Sequence, residues 1–278
     1  MHRWIGYEKD FFLEALTAGL ADPTTIEEKV KRFNSKPDAV TAEALASYHD
    51  SKAEYPEAIS YYKNAAELNN LEKDYANEIF QAYYYGFRRD KFTLDELKTA
   101  GNNALSSENV DTEDKALIYY YMANMITKKN DDVDLIGFIK DGQVFLASLD
   151  DETFKHQKEA INILHTIYLD KNPNKAVELK KASMPEGWDE NAKDINSFSW
   201  WCFEHKINLD EAEKLARIGA ELAEPGGEKA MILDTVAEIV NFKGNPKEAI
   251  EITKLAIKES PERKFYQEQL ERFEKLTE

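Results

Sequence analysis

The amino-acid sequence predicts an all-α fold, an array of antiparallel helix pairs, from three observations. Near its end, GNPKEAIEITKLAIKESP sets Gly244, Ala249, Ala256 and Pro261 at the spacing of a helix-turn-helix unit. Ser47, Tyr48 and His49 are followed 36 residues on by Tyr83, Tyr84 and Tyr85, and 36 further by Tyr119, Tyr120 and Tyr121. Gly (11) and Pro (8) are scarce for 278 residues, which favours long helices over a turn-rich all-β chain. Such arrays bury their core between neighbouring units and leave extended surfaces for holding partners.

The first full pair is EALASYHDSKAEYPEAISYYKNAAELN, with Leu45 and Ala46 on one helix and Tyr55, Ala58, Tyr62 and Ala65 through the turn and second helix. Small and aromatic residues stand there where two antiparallel helices must approach closely and interlock. The first helices of the next two pairs carry the tyrosine triplets. A second run in the same rhythm joins helices around Leu164, Trp200 and Val236, and the period between the runs lengthens by roughly eight residues. The excess falls in DDVDLIGFIKDGQVFLASLDDE, where Gly137 and Gly142 are expected to interrupt the helical pattern and make an irregular or lengthened hairpin.

The penultimate pair has Asp210 near its second helix start, Ala212, Ala216 and Ala220 along one face, and Pro225 after its end. In the last pair Gly244 closes one helix and Pro246 opens the next. ERKFYQEQLERFEKL supplies a final amphipathic helix, with Tyr266, Leu270 and Phe273 on its apolar side and a charged face suited to capping a stack.

Gly244, Ala237, Ala249, Ala256 and Pro261, and again Leu45, Ala46, Tyr55, Ala58, Tyr62 and Ala65, resemble the tetratricopeptide repeat (TPR) pattern over most of residues 36–278. The middle units depart from it: Trp200 and Trp201 stand where a small residue is usual, and Gly86 does not recur at 122. The resemblance implies a right-handed superhelical solenoid of about six hairpins. At the other end, HRWIGYEKDFFLEALTAGL is similar to the closing strand, glycine turn and last helix of a thioredoxin-like domain, with ADPTTIEEKVKRF as the link into the repeats. That layout is similar to bacterial thioredoxin-family proteins that carry a helical repeat region after the redox domain. It divides the chain into a remnant over 1–23 and a TPR-like domain over 24–278. The same resemblance implies a role accessory to an upstream thioredoxin-like domain, in the periplasm if a signal peptide has been lost and in the cytoplasm otherwise. The CxxC pair of that family has no counterpart in this sequence.

The formal charge of -17, from 53 acidic and 36 basic residues, repels phosphate backbones and anionic lipid, so nucleic acid is not an expected partner. The acidity either keeps a surface-rich array soluble or selects a basic protein or peptide. Cys202 is the only cysteine, which excludes an intrachain disulfide and a thiolate zinc cluster, and its neighbours Trp201 and Phe203 point to a buried structural thiol. No stretch approaches the roughly 18 apolar residues of a membrane span.

Catalytic constellations are not evident. His156 and Glu159 share a helical face, but His165 lies nine residues past His156, half a turn out of phase on a continuous helix. Ser197 and Ser199 lack a recognisable acid and base, and Pro225-Gly226-Gly227 lacks the Lys and Ser or Thr of a phosphate loop. Paired acids such as Asp131 with Asp132 and Asp150 with Asp151 read as loop or cap residues without the spacing of a calcium loop. No metal, cofactor or catalytic residue is expected. The rival reading is an enzyme or small-molecule binder with a pocket in the irregular middle, using His156, Glu159 or His165.

The aromatic clusters carry the functional expectation. Three consecutive Tyr spread over roughly 200° of a helix, at about 100° each, so they cannot all face one core. By repeat register Tyr83, Phe87, Tyr119 and Trp201 are placed on the inner, first-helix surface, either as contact anchors for a partner or packed against neighbouring first helices. The expected function is non-catalytic protein or peptide binding on the concave face of the solenoid.

Overall fold

The computed structural model describes residues 23–125, 133–150 and 152–277. Among these residues are fourteen α-helices, one 3-10 turn and no strand. The element expected over 1–23 lies outside the described residues apart from Pro23, and so do Asp131, Asp132 and Asp151. The chain clusters into two compact units, one ending at Ile118 and the other beginning at Tyr119.

The first unit contains α1 (Ile26–Ser35), α2 (Ala39–Ser51), α3 (Tyr55–Leu68), α4 (Ala76–Phe87), α5 (Leu94–Ser106) and the opening of α6 (Thr112–Ala123). Local chemistry sets the starts of several. Thr25 and Glu28 close a reciprocal capping box at α1, Asp38 accepts the Thr41 amide at 2.8 Å to start α2, and Thr93 with Glu96 repeats the box at α5. From α1 to α5 each helix packs on the next in sequence. Ala42 and Ala46 of α2 meet Ala58 and Ala65 of α3 in one cluster with no exposed surface, because a methyl side chain lets two helix backbones come close. Tyr62 and Tyr75 fill the same cluster, with ring centroids 5.5 Å apart.

The second unit contains the rest of α6, then α7 (Val133–Ala147), α8 (Lys155–Tyr168), α9 (Pro173–Ala182), α10 (Ala192–His205), α11 (Leu209–Leu222), α12 (Gly227–Phe242), α13 (Pro246–Glu259) and α14 (Lys264–Glu274). Packing is again sequential, and α10 also touches α12, its next neighbour but one, as stacked hairpins require. Ala216, Ala230, Ala237, Ala249 and Ala256 are all fully buried at the crossings in this cluster. Gly244 adopts φ +89°, a left-handed value that ends the α12 segment; Asn245 then caps α13, and Pro246 is its first residue. α14 seals the end: Tyr266 and Phe273 are 1% and 0% exposed, each worth about 1.5–3 kcal/mol of burial.

One expectation needs correction. Gly137 and Gly142 do not interrupt a helix, because α7 runs through both from Val133 to Ala147. At Gly142 the absent side chain is used for close packing. A Cβ there would stand 2.9 Å from Ile161 Cδ1 on α8 and 3.1 Å from Tyr119 Cβ on α6. Tertiary contact outweighs the roughly 1 kcal/mol that a helical glycine costs.

Candidate functional site

Each predicted anchor is held by local packing. Tyr83 of α4 is half-buried with its ring 4.6 Å from that of Phe92, in a cluster with Tyr55 and Ile59 of α3. Gly86 makes room for this, since a Cβ there would overlap the Phe92 ring. Phe87, the last residue of α4, is also half-buried. Of the triplet that Tyr83 opens, Tyr84 is 8% exposed and Tyr85 39%, the spread that 100° per residue demands.

In the second unit Tyr119 is half-buried with its ring 5.3 Å from Phe145 of α7. Trp201 of α10 is half-buried between Phe198, at 6.1 Å, and His205, at 5.2 Å. Thus Tyr83 and Phe87 belong to one unit, and Tyr119 and Trp201 to the other.

A cleft of ≈ 460 Å³ opens among α3, α4 and α5, and Tyr83 lines it. From α4 the lining side chains are Ala76, Ile79 and Tyr83, which share one helical face. α5 contributes Asp95, Glu96, Thr99, Ala100 and Asn103, again one stripe, while α3 contributes Lys63. Asp74, just ahead of α4, completes the lining. The volume lies within the range of about 300–1,000 Å³ common to ligand sites.

The cleft carboxylates are held in place. Asp74 accepts the Ala76 amide at 3.1 Å and the Ser107 hydroxyl at 2.7 Å. Between Asp74 and Ala76, Tyr75 stands in the left-handed region at φ 54°, a conformation that costs a non-glycine residue about 1–2 kcal/mol. The hydroxyl of Tyr75, donated to Glu43 at 2.9 Å, and its stacking on Tyr62 hold it there. Asp95 pairs with Lys98 at 2.9 Å. The Thr93 backbone and hydroxyl bond to Glu96 and hold its carboxyl below the usual range.

The Asp74 end of α4 is crowded with further acids. Asp114, bonded to Asn77 at 2.6 Å, is pushed up by burial and then by repulsion from Asp111, Glu78 and Glu113. No lining side chain combines a nucleophile with a base, and the arrangement offers fixed acceptors around an apolar floor. The chain matches no protein-family model and no curated protein.

The groups considered for chemistry elsewhere have other partners. His156 Nε2 lies 3.2 Å from the Tyr120 hydroxyl, and His165 Nδ1 lies 3.4 Å from Asp170. Asp150 accepts the Thr153 amide at 2.9 Å as a turn cap. Among the described residues no group of three or more His, Cys, Asp or Glu is placed to hold a metal ion, and no helix is long and apolar enough to cross a membrane. Of the cleft lining, sequence reasoning singled out Tyr83 and not Asp74, Ile79 or the α5 stripe, whose only linear signal is the spacing of residues 95, 96, 99, 100 and 103.

Proposed function

We propose that the chain is a non-catalytic scaffold that binds a protein or peptide segment on a right-handed, TPR-like array of helix pairs, accessory to a thioredoxin-like domain upstream. The cleft lined by Tyr83 carries this reading: an aromatic anchor beside an apolar floor and fixed polar groups is the arrangement that recognises a segment of another chain. Phe87, Tyr119 and Trp201 serve in the same reading as further anchors on the concave, first-helix face. The test is selection of a displayed random-peptide library on the immobilised chain. Enriched peptides should lose affinity roughly tenfold in Tyr83→Ala with the helical circular dichroism retained. A library that yields no enriched sequence, or binders indifferent to both Tyr83→Ala and Trp201→Ala, overturns it.

A further inference from the structure

The geometry points to a specific occupant of the cleft: a peptide segment with two cationic side chains, Lys or Arg, flanking apolar residues. The inference rests on the peptide-binding reading above and adds the chemistry of the ligand. Two contacts fix which ends of α4 and α5 coincide. Ser107, just past the end of α5, donates to Asp74, just ahead of α4, at 2.7 Å. Tyr83 near the end of α4 packs its ring against Phe92 just ahead of α5. The helices are therefore antiparallel, with Asp74 at one end of the cleft and Asp95 with Glu96 at the other.

From Asp95 to Ser107, which holds Asp74, is twelve residues along α5, so the two acidic ends stand roughly 18 Å apart along the groove. Between them lie Ala76, Ile79 and Ala100. An extended peptide spans about 13 Å from residue i to i+4 and points both side chains the same way, and the long Lys or Arg stems reach outward over the remaining few Å.

The charge at each end is oriented before any ligand arrives. Asp74 and Glu96 are held by bonds to the chain's own amides and hydroxyls, so they lose little freedom on meeting a cation. Lys98 already neutralises part of Asp95, and Lys63 is the one cation among the described lining residues. The acids crowding Asp114 add to the negative field at the Asp74 end. Asn103 offers both a donor and an acceptor midway, which suits a peptide group and has no use for a bare alkyl chain.

The experiment uses the full chain and a fluorescein-labelled Lys-Leu-Ala-Leu-Lys peptide, read by anisotropy. Its counterparts carry Glu or Gln at both ends, and spermidine serves as a competing linear polyamine without peptide groups. The Lys peptide should bind, weaken as salt rises, and lose roughly tenfold in affinity in the Asp74→Asn, Asp95→Asn, Glu96→Gln triple variant. Gln still closes the capping box at Thr93, and circular dichroism checks that the triple variant is folded.

If the Gln peptide binds as well as the Lys peptide and responds to Tyr83→Ala, the dicationic occupant is overturned and peptide binding at the cleft survives. If spermidine binds and none of the peptides does, both are overturned. A Lys peptide that binds the triple variant undiminished also sinks the inference.

Discussion

Tyr168 and His205 meet at 2.7 Å, phenol oxygen to Nδ1, in the interior of the second unit. Burial, and then the nearby Lys180 ammonium, push the His205 imidazole down to about 4, so it is neutral at neutral pH. An unfolded histidine titrates near 6.5, so between about pH 6.5 and 4 the unfolded chain binds a proton that the folded chain refuses. The stability from this group is present above that window and lost as pH falls through it. The loss approaches about 3 kcal/mol at 1.36 kcal/mol per unit. His205→Gln removes the titration, so its stability relative to the parent, measured by urea unfolding at each pH, should rise by that amount as pH falls through the window.

Asp234 of α12 runs the other way. Burial pushes its carboxyl up to about 6, repulsion from Glu238 adds to this, and Gln269, Arg272 and Arg263 oppose it. The folded chain then keeps a proton that the unfolded chain has shed between about pH 4 and 6, so this stability is present below the window and lost as pH rises through it. Asp234 Oδ1 and Gln269 Oε1 are both buried without a partner, which a carboxyl proton between them would satisfy. Asp234→Asn should therefore raise stability at pH 7 by about 2–3 kcal/mol and leave it nearly unchanged at pH 4. Relative to the parent, the two single variants therefore tilt the stability profile in opposite directions across the window. Parallel profiles for all three chains would refute both assignments.

Cys202 is fully buried, and burial pushes its thiol up to about 12. The thiolate is the reactive form, so alkylation by iodoacetamide at pH 8 should run roughly a thousandfold slower in the folded chain than in denaturant. Comparable rates in the two states would place the thiol at the surface. A dithiol cycle needs a second thiol, so the chain alone should reduce no disulfide.

Ala249 has no exposed surface where α13 crosses α12, and a larger side chain must push the two backbones apart. Ala249→Leu should cost about 1–3 kcal/mol, read as a lowered denaturation midpoint. Lys258→Leu, on the exposed side of the same helix, is the control and should change little.

Gly142→Ala brings a methyl group to within 2.9 Å of Ile161 and 3.1 Å of Tyr119. In an open helix this exchange would stabilise by roughly 0.5–1 kcal/mol, whereas here overpacking should destabilise by about 1–3 kcal/mol. Gly137, with nothing within 4 Å of its Cβ position, should show the stabilising sign. The pair of substitutions separates propensity from packing within one helix.

The helix starts near Asp210 and at Pro246, the crossings at Ala58 and Ala249, and the end helix around Phe273 were all legible in the sequence. Each depends on residues within one or two turns of one another, where capping bonds and a 3.6-residue period act. Gly142 misled for the complementary reason: its neighbours Ile161 and Tyr119 lie 19 and 23 residues away, so local propensity was the only signal available. The cleft was half legible. The tyrosine triplet marked Tyr83 as unable to share one core with its neighbours, but nothing in the linear order tied it to Asp74 or Glu96.

The sequence by itself determined that the chain is a succession of helices, that alanines mark their crossings, and that no paired-thiol chemistry belongs to it. Tertiary structure alone decided which polar groups were taken out of water. His205 beside Tyr168, Asp234 beside Gln269, and the opposed acidic ends of the α4–α5 cleft each join residues more than 20 positions apart. Their protonation and their use depend on desolvation and distance, which chain order does not set until the helices are packed.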